Sequence, residues 1–222
     1  MMASYIIFSP TFLIVANWFQ LFTFVSAFGK GKVGRKKLED KWVYETVLKK
    51  TGLKLSGVTL FRDEKMYGMM AGLPFWPKMI LSEGLYKALN KDELEWVILH
   101  EAGHCVLWHN LKAFLIELSI LICGILFIYF YKLNFLGGFL LAIVSGLLCI
   151  QAIRWLIEYQ ADKFSIERVD NPEGVITAQE KFKNATDKNL FSSEKSLGRF
   201  LLHWNIYPGK RIEMAKSRLS SN

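Results

Sequence analysis

Apolar and charged positions in this chain fall into separate blocks. From Tyr5 to Phe28 there are 24 residues without a charge, more than the roughly 20 a helix needs to cross a bilayer. A second apolar block runs from Ala113 to Tyr131 and a third from Leu133 to Ile153, with little more than Lys132 and Asn134 between them. The pattern predicts one membrane span followed later by a membrane hairpin with a very short turn. The intervening stretch is different in kind. Val58 to Phe61, Met66 to Met70 and Lys78 to Leu81 are short β-prone runs punctuated by Gly and Pro, which predict a small antiparallel sheet with an edge strand. From Asn90 the spacing becomes helical, with Glu93 three residues on in the pattern of a capping box. Pro172 marks a further helix start, and Lys188 to Ser196 reads as a polar loop.

Composition sharpens this picture. The chain of 222 residues is 52% hydrophobic yet 22% charged, as expected for long apolar segments alternating with a small soluble part. The net charge of +8 carries no basic stripe interleaved with exposed aromatics, which argues against nucleic acid as a partner. Its densest run, Lys30 to Lys37, follows the first apolar block and holds five positive charges. The positive-inside rule makes that flank cytoplasmic, and the hairpin then returns the chain to the same side. Basic residues that follow rather than precede the first block argue against a cleaved signal peptide. The expected divisions are a span over 1–29, a first hydrophilic part over 30–112 with the small sheet and the helix from Asn90, the hairpin over 113–154 and a second hydrophilic part over 155–222. Cys105, Cys123 and Cys149 have neither zinc-finger nor redox spacing and imply no disulfide framework.

Candidate chemistry is concentrated in "LHEAGHCVLWHN", Leu99 to Asn110, which holds three of the four histidines. On a helix, His100 and His104 project from one face and can bind one zinc ion, with Glu101 within reach of a water on that ion. The competing reading is a helix whose histidines are merely hydrogen-bonded. A catalytic zinc needs a third protein ligand and an open position. His109 lies five residues beyond His104, and its expected place is the membrane interface rather than the metal. The sequence "EYQADKF" supplies a better candidate: Glu158 and Asp162 are four apart on a helix emerging at the same membrane face, so one carboxylate can bind metal while the other orients a histidine. An interfacial ion pair of Glu158 with Arg154 is the alternative.

These elements resemble the M48 metallopeptidases, and within them the membrane-embedded HtpX-like group. The resemblance rests on "LNKDELEWVILHEAGH", the apolar hairpin, "EYQAD" and "YPGKRIEMA", in consistent order from about Val58 to Ala215. It implies an α+β, mainly helical fold: a zincin-type catalytic domain with a small antiparallel sheet plus about three transmembrane helices. It further implies a membrane-bound zinc endopeptidase with one Zn2+ per chain on His100, His104 and Glu158, and Glu101 as general base. Asp162 would support a ligand, and Arg211 matches a family arginine. Tyr207 stands where the family pattern has a histidine; a phenol can donate to an oxyanion, and His203 is a second candidate for that role. The substrate-docking edge would fall on Met66 to Gly72, with Met69, Met70, Ala71 and Gly72 as contacts. Implied partners are membrane lipid and polypeptide substrates, notably membrane or misfolded proteins, as in protein quality control. Two competing functions are a non-catalytic zinc-binding membrane adaptor and a site-2-type intramembrane protease; the latter lacks support because no Asp-Gly motif follows in a later apolar block.

Overall fold

The computed structural model describes residues 34–71, 75–131, 135–187 and 208–221. The expected first span, Gly72, the Lys132 turn, the Lys188 to Ser196 loop, His203 and Tyr207 lie outside these residues. In chain order the elements are β1 (Arg35–Lys37), α1 (Lys41–Thr51), β2 (Gly57–Phe61), β3 (Gly68–Ala71), β4 (Lys78–Ser82), α2 (Glu83–Ala88), α3 (Lys91–Val106), α4 (His109–Tyr131), α5 (Phe135–Ile166), α6 (Glu173–Asp187) and α7 (Pro208–Ser221). The described residues separate into two compact units, one within 111–153 and the other within 34–110 and 154–221.

In the first unit, the side chains of Phe114, Leu115, Ile116, Leu118, Ile122, Leu126 and Phe127 on α4 are exposed. Among the described residues, one stretch is long and apolar enough to cross a membrane, His109–Phe127. Three spans were expected; the first lies outside the described residues, and the third apolar block runs into α5.

The second unit is built on a four-stranded sheet of order β1-β2-β4-β3. Here the antiparallel expectation fails. β1–β2 and β4–β3 are antiparallel, but β2 and β4 pair in parallel, Gly57 opposite Lys78 through Phe61 opposite Ser82. The sheet is therefore mixed. Burial supplies the reason: Met79, Ile80, Leu81 and Ser82 are all buried, so β4 takes an interior position and displaces β3 to the edge. Strand β1 lies inside the basic run, where charge hides its pairing from a hydropathy reading.

Helix α3 packs against β3 of this sheet. Asn90 Oδ1 accepts from Glu93 N–H at 3.0 Å while Glu93 Oε2 accepts from Asn90 N–H at 2.7 Å, so the capping box forms as read. The helix is buried on nearly all sides, with Leu94, Val97, Ile98, Leu99 and Ala102 in the core together with Val43 and Val47 of α1 and Val175 and Ala178 of α6. Its two buried carboxylates outside the site are neutralised by Lys181, 2.6 Å from Glu93, and Lys50, 2.5 Å from Glu95. A helix held so firmly from every side is a rigid platform for the histidines at its C-terminal end. All three cysteines are free.

Candidate metal centre

His100 and His104 leave α3 one turn apart and meet α5 at Glu158. The approach depends on Gly103: a Cβ there would lie 3.0 Å from Phe164 Cδ1 and 3.7 Å from Ala161 Cα, so the helices come together where the motif has no side chain. Three potential ligand side chains converge as a result. His100 Nε2 lies 3.2 Å from His104 Nε2, Glu158 Oε2 3.5 Å from His100 Nε2, and Glu158 Oε1 3.6 Å from His104 Nε2. Donors about 2.0–2.1 Å from a tetrahedral zinc are separated by about 3.3 Å; the two imidazole nitrogens have that spacing, and each Glu158 oxygen comes close to it from one of them. Two imidazoles and one carboxylate are also the donor types of a catalytic zinc. The residues fit the ion.

The surroundings hold these donors in place. Asp162 is fully buried, its Oδ1 2.8 Å from His100 Nδ1 and its Oδ2 accepting from Arg211 Nε at 2.7 Å. Arg211 Nη2 also lies 3.5 Å from Glu158 Oε2. The arginine thus spans both acidic residues, with its guanidinium 5.6 Å from the Trp96 ring centre. It reaches them from the first turn of α7, which opens on Pro208, a residue suited to that position. Lys210 secures the same turn, its Nζ 5.1 and 5.0 Å from the stacked rings of Trp155 and Tyr159.

Glu101 faces the other side, toward the sheet edge, where its carboxylate accepts a hydrogen bond from the Met70 backbone. Strand β3 passes close by: a Cβ on Gly68 would sit 3.5 Å from Glu101 Cγ. Met69, Met70 and Ala71 belong to this edge strand, so their edge lies beside the glutamate.

Charge is distributed unevenly over the cluster. Burial pulls the His100 imidazole down, but the adjoining Asp162 carboxylate, with Glu158 and Glu101, more than reverses this and pushes it up to about 10. Burial and the neighbouring His100 charge hold His104 down at about 3, against the pull of Glu158. Glu158 would be raised by burial, yet its hydrogen bond to His100 and the charges of His100, His104 and Arg211 bring it to about 2. Glu101 is raised, chiefly by burial and further by Glu158, against the charge of His100.

The sign for metal binding follows. At neutral pH the metal-free cluster carries its proton on His100, and an ion at Nε2 must displace it. Zinc affinity is expected to rise about tenfold per pH unit across the neutral range and to flatten as pH approaches the His100 value. Calorimetry at neutral pH in buffers of different ionisation enthalpy should show release of about one proton per zinc bound. Binding without proton release would contradict this charge assignment.

His109 is the residue whose place differs most from its reading. It is buried, 1% exposed, with Nδ1 3.0 Å from His104 Nδ1 and Nε2 3.1 Å from Gln160 Oε1, partners that the interface reading does not include. Gln160 carried no sequence signal, since a glutamine between Tyr159 and Ala161 is unremarkable on a helix. The cause is local: α3 stops at Val106, and Trp108 takes φ 57°, turning the chain back on itself.

A His-Glu-x-x-His helix, an inward carboxylate from a second helix and a sheet edge beside the glutamate define a zincin-type metallopeptidase domain. The chain belongs to peptidase family M48, whose pattern it matches over residues 36–198. Among curated relatives it is 27% identical, over 241 aligned positions, to the "Protease HtpX homolog" of Bacteroides fragilis strain YCH46, covering 93% of this chain and 72% of that one. The homologue from strain ATCC 25285 is 26% identical over the same coverage. Among solved structures, the crystal structure of S. mikatae Ste24p superposes with a TM-score of 0.58 at 16% identity over 91% of this chain, a likeness of fold. The chain spans 56% of the length of Ste24p.

Proposed function

We propose that this protein is a membrane-bound zinc endopeptidase that hydrolyses peptide bonds in extended segments of membrane or misfolded proteins at the cytoplasmic face. The reading is carried by the convergence of His100, His104 and Glu158, with the two imidazole Nε2 atoms 3.2 Å apart and a Glu158 oxygen within 3.5–3.6 Å of each. One zinc ion held by these three residues would supply Lewis acidity for the scissile carbonyl and acidify the attacking water. Glu101 takes the proton of that water and delivers it to the leaving amine; its raised pKa brings the base closer to the working pH. Asp162 keeps His100 oriented, and Arg211 holds Asp162 and Glu158 as a unit. Tyr207 would donate from its phenol to the developing oxyanion.

Substrate geometry is supported by β3. An edge strand offers unpaired backbone groups to an extended peptide, and this edge runs beside Glu101. A folded helix hides its carbonyls, so a locally unfolded chain suits the edge. The apolar stretch His109–Phe127 begins directly after the motif helix, which supports cleavage close to a membrane surface. The positive flank at Lys30 to Lys37 supports the cytoplasmic orientation. In the test, the full chain in detergent or liposomes is given an unfolded polypeptide. Hydrolysis is expected with zinc, is expected to cease on chelation and to return when zinc is restored. A zinc-loaded chain that cleaves no unfolded polypeptide or membrane-protein segment would overturn the proposal.

A further inference from the structure

The two histidines of the motif are supported in different ways, and the support of His104 has chemical consequences. His100 turns Nδ1 to a carboxylate, Asp162. His104 turns Nδ1 to a second imidazole, His109, whose ring centre is 5.1 Å away at an interplanar angle of 74°. The roles along this line are interdependent. Gln160 presents its amide oxygen, an acceptor, to His109 Nε2 at 3.1 Å, so that nitrogen carries the hydrogen. Neutral His109 then has a lone pair on Nδ1, which can accept from His104 Nδ1–H at 3.0 Å. With its hydrogen on Nδ1, His104 is left with a lone pair on Nε2, the atom facing His100 and Glu158.

We propose that His109, backed by Gln160, is a positioning residue that holds His104 in the Nδ1–H tautomer and fixes the direction of its Nε2 lone pair. This rests on the reading of His100, His104 and Glu158 as a metal centre. A neutral acceptor suits the location: Glu101, Glu158 and Asp162 already surround the cluster, and a further carboxylate behind His104 would add like charge. The backbone is bent to make the contact. On an uninterrupted helix, residues five apart point about 140° away from one another, so His109 could not meet His104. The left-handed conformation of Trp108 brings them together, in a backbone region that residues other than glycine seldom adopt. Trp108 itself is exposed, with Phe75 edge-on to its ring at 6.0 Å.

The test measures zinc affinity of the detergent-solubilised full chain by chelator competition, with the visible spectrum of the cobalt-substituted protein as a second readout. His109→Leu removes the acceptor at similar bulk and is expected to weaken zinc binding about 10–100-fold and to perturb the cobalt bands. His109→Asn, whose amide oxygen can replace Nδ1, is expected to restore affinity to within about threefold of wild type. Wild-type affinity and spectrum in His109→Leu, or equal loss in both variants, would overturn the proposal. A readout independent of folding of the variants is 15N NMR of the histidine rings of the wild-type chain. It is expected to show His109 with hydrogen on Nε2 and none on Nδ1; the reverse tautomer would overturn the relay. His100→Ala separates the two levels, since unchanged zinc affinity in that variant defeats the metal centre itself whatever His109 does.

Discussion

Glu101→Gln is expected to lower the rate of peptide hydrolysis by about 10²–10⁴-fold while leaving zinc content at one ion per chain. The substitution keeps the size of the side chain and an oxygen that can accept from Met70, so the sheet edge and the histidine helix keep their packing. What is lost is the ability to take a proton. Glu101 is not one of the three converging donors, so metal retention and lost turnover should separate cleanly. Cleavage by the variant at the wild-type rate would remove Glu101 as the base. Loss of zinc together with activity would instead make it part of the metal-binding set.

Replacement of Asp162 is expected to have the largest structural consequence. Its carboxylate is fully buried and receives both Arg211 at 2.7 Å and His100 at 2.8 Å. Asp162→Ala leaves a largely buried guanidinium with the longer Glu158 contact and the Trp96 ring among the described residues, and deprives His100 of its acceptor. Removing one partner of a buried ion pair costs about 3–5 kcal/mol, and losing the support of a ligand costs about 10–100-fold in metal affinity. Asp162→Asn preserves an oxygen for His100 but weakens the partnership with Arg211, so its effect on zinc should be smaller than its effect on stability. Denaturant unfolding of the metal-free protein and zinc competition measure the two quantities separately. Unaltered stability in Asp162→Ala would show that Arg211 does not depend on this carboxylate.

Much of this protein is determined within short windows of its sequence. The capping box at Asn90 and Glu93, the four-residue spacing of His100 and His104, the same spacing of Glu158 and Asp162, and the apolar stretch after the motif are local patterns. Each is set by the period of a helix or by hydropathy, and a window of a few residues suffices to read it. The parallel pairing of β2 with β4, the strand at Arg35–Lys37, the reach of Arg211 from α7 to Asp162 and the burial of His109 against Gln160 are of another kind. The sequence predicts an antiparallel sheet, which holds for β1–β2 and β3–β4, but the parallel placing of β4 beside β2 is decided by competition for interior burial between strands. The five-residue distance from His104 set His109 apart from the metal ligands in sequence. Trp108 in a left-handed conformation interrupts the helix before His109, and Gln160, distant in sequence, meets its ring; a local periodicity records neither.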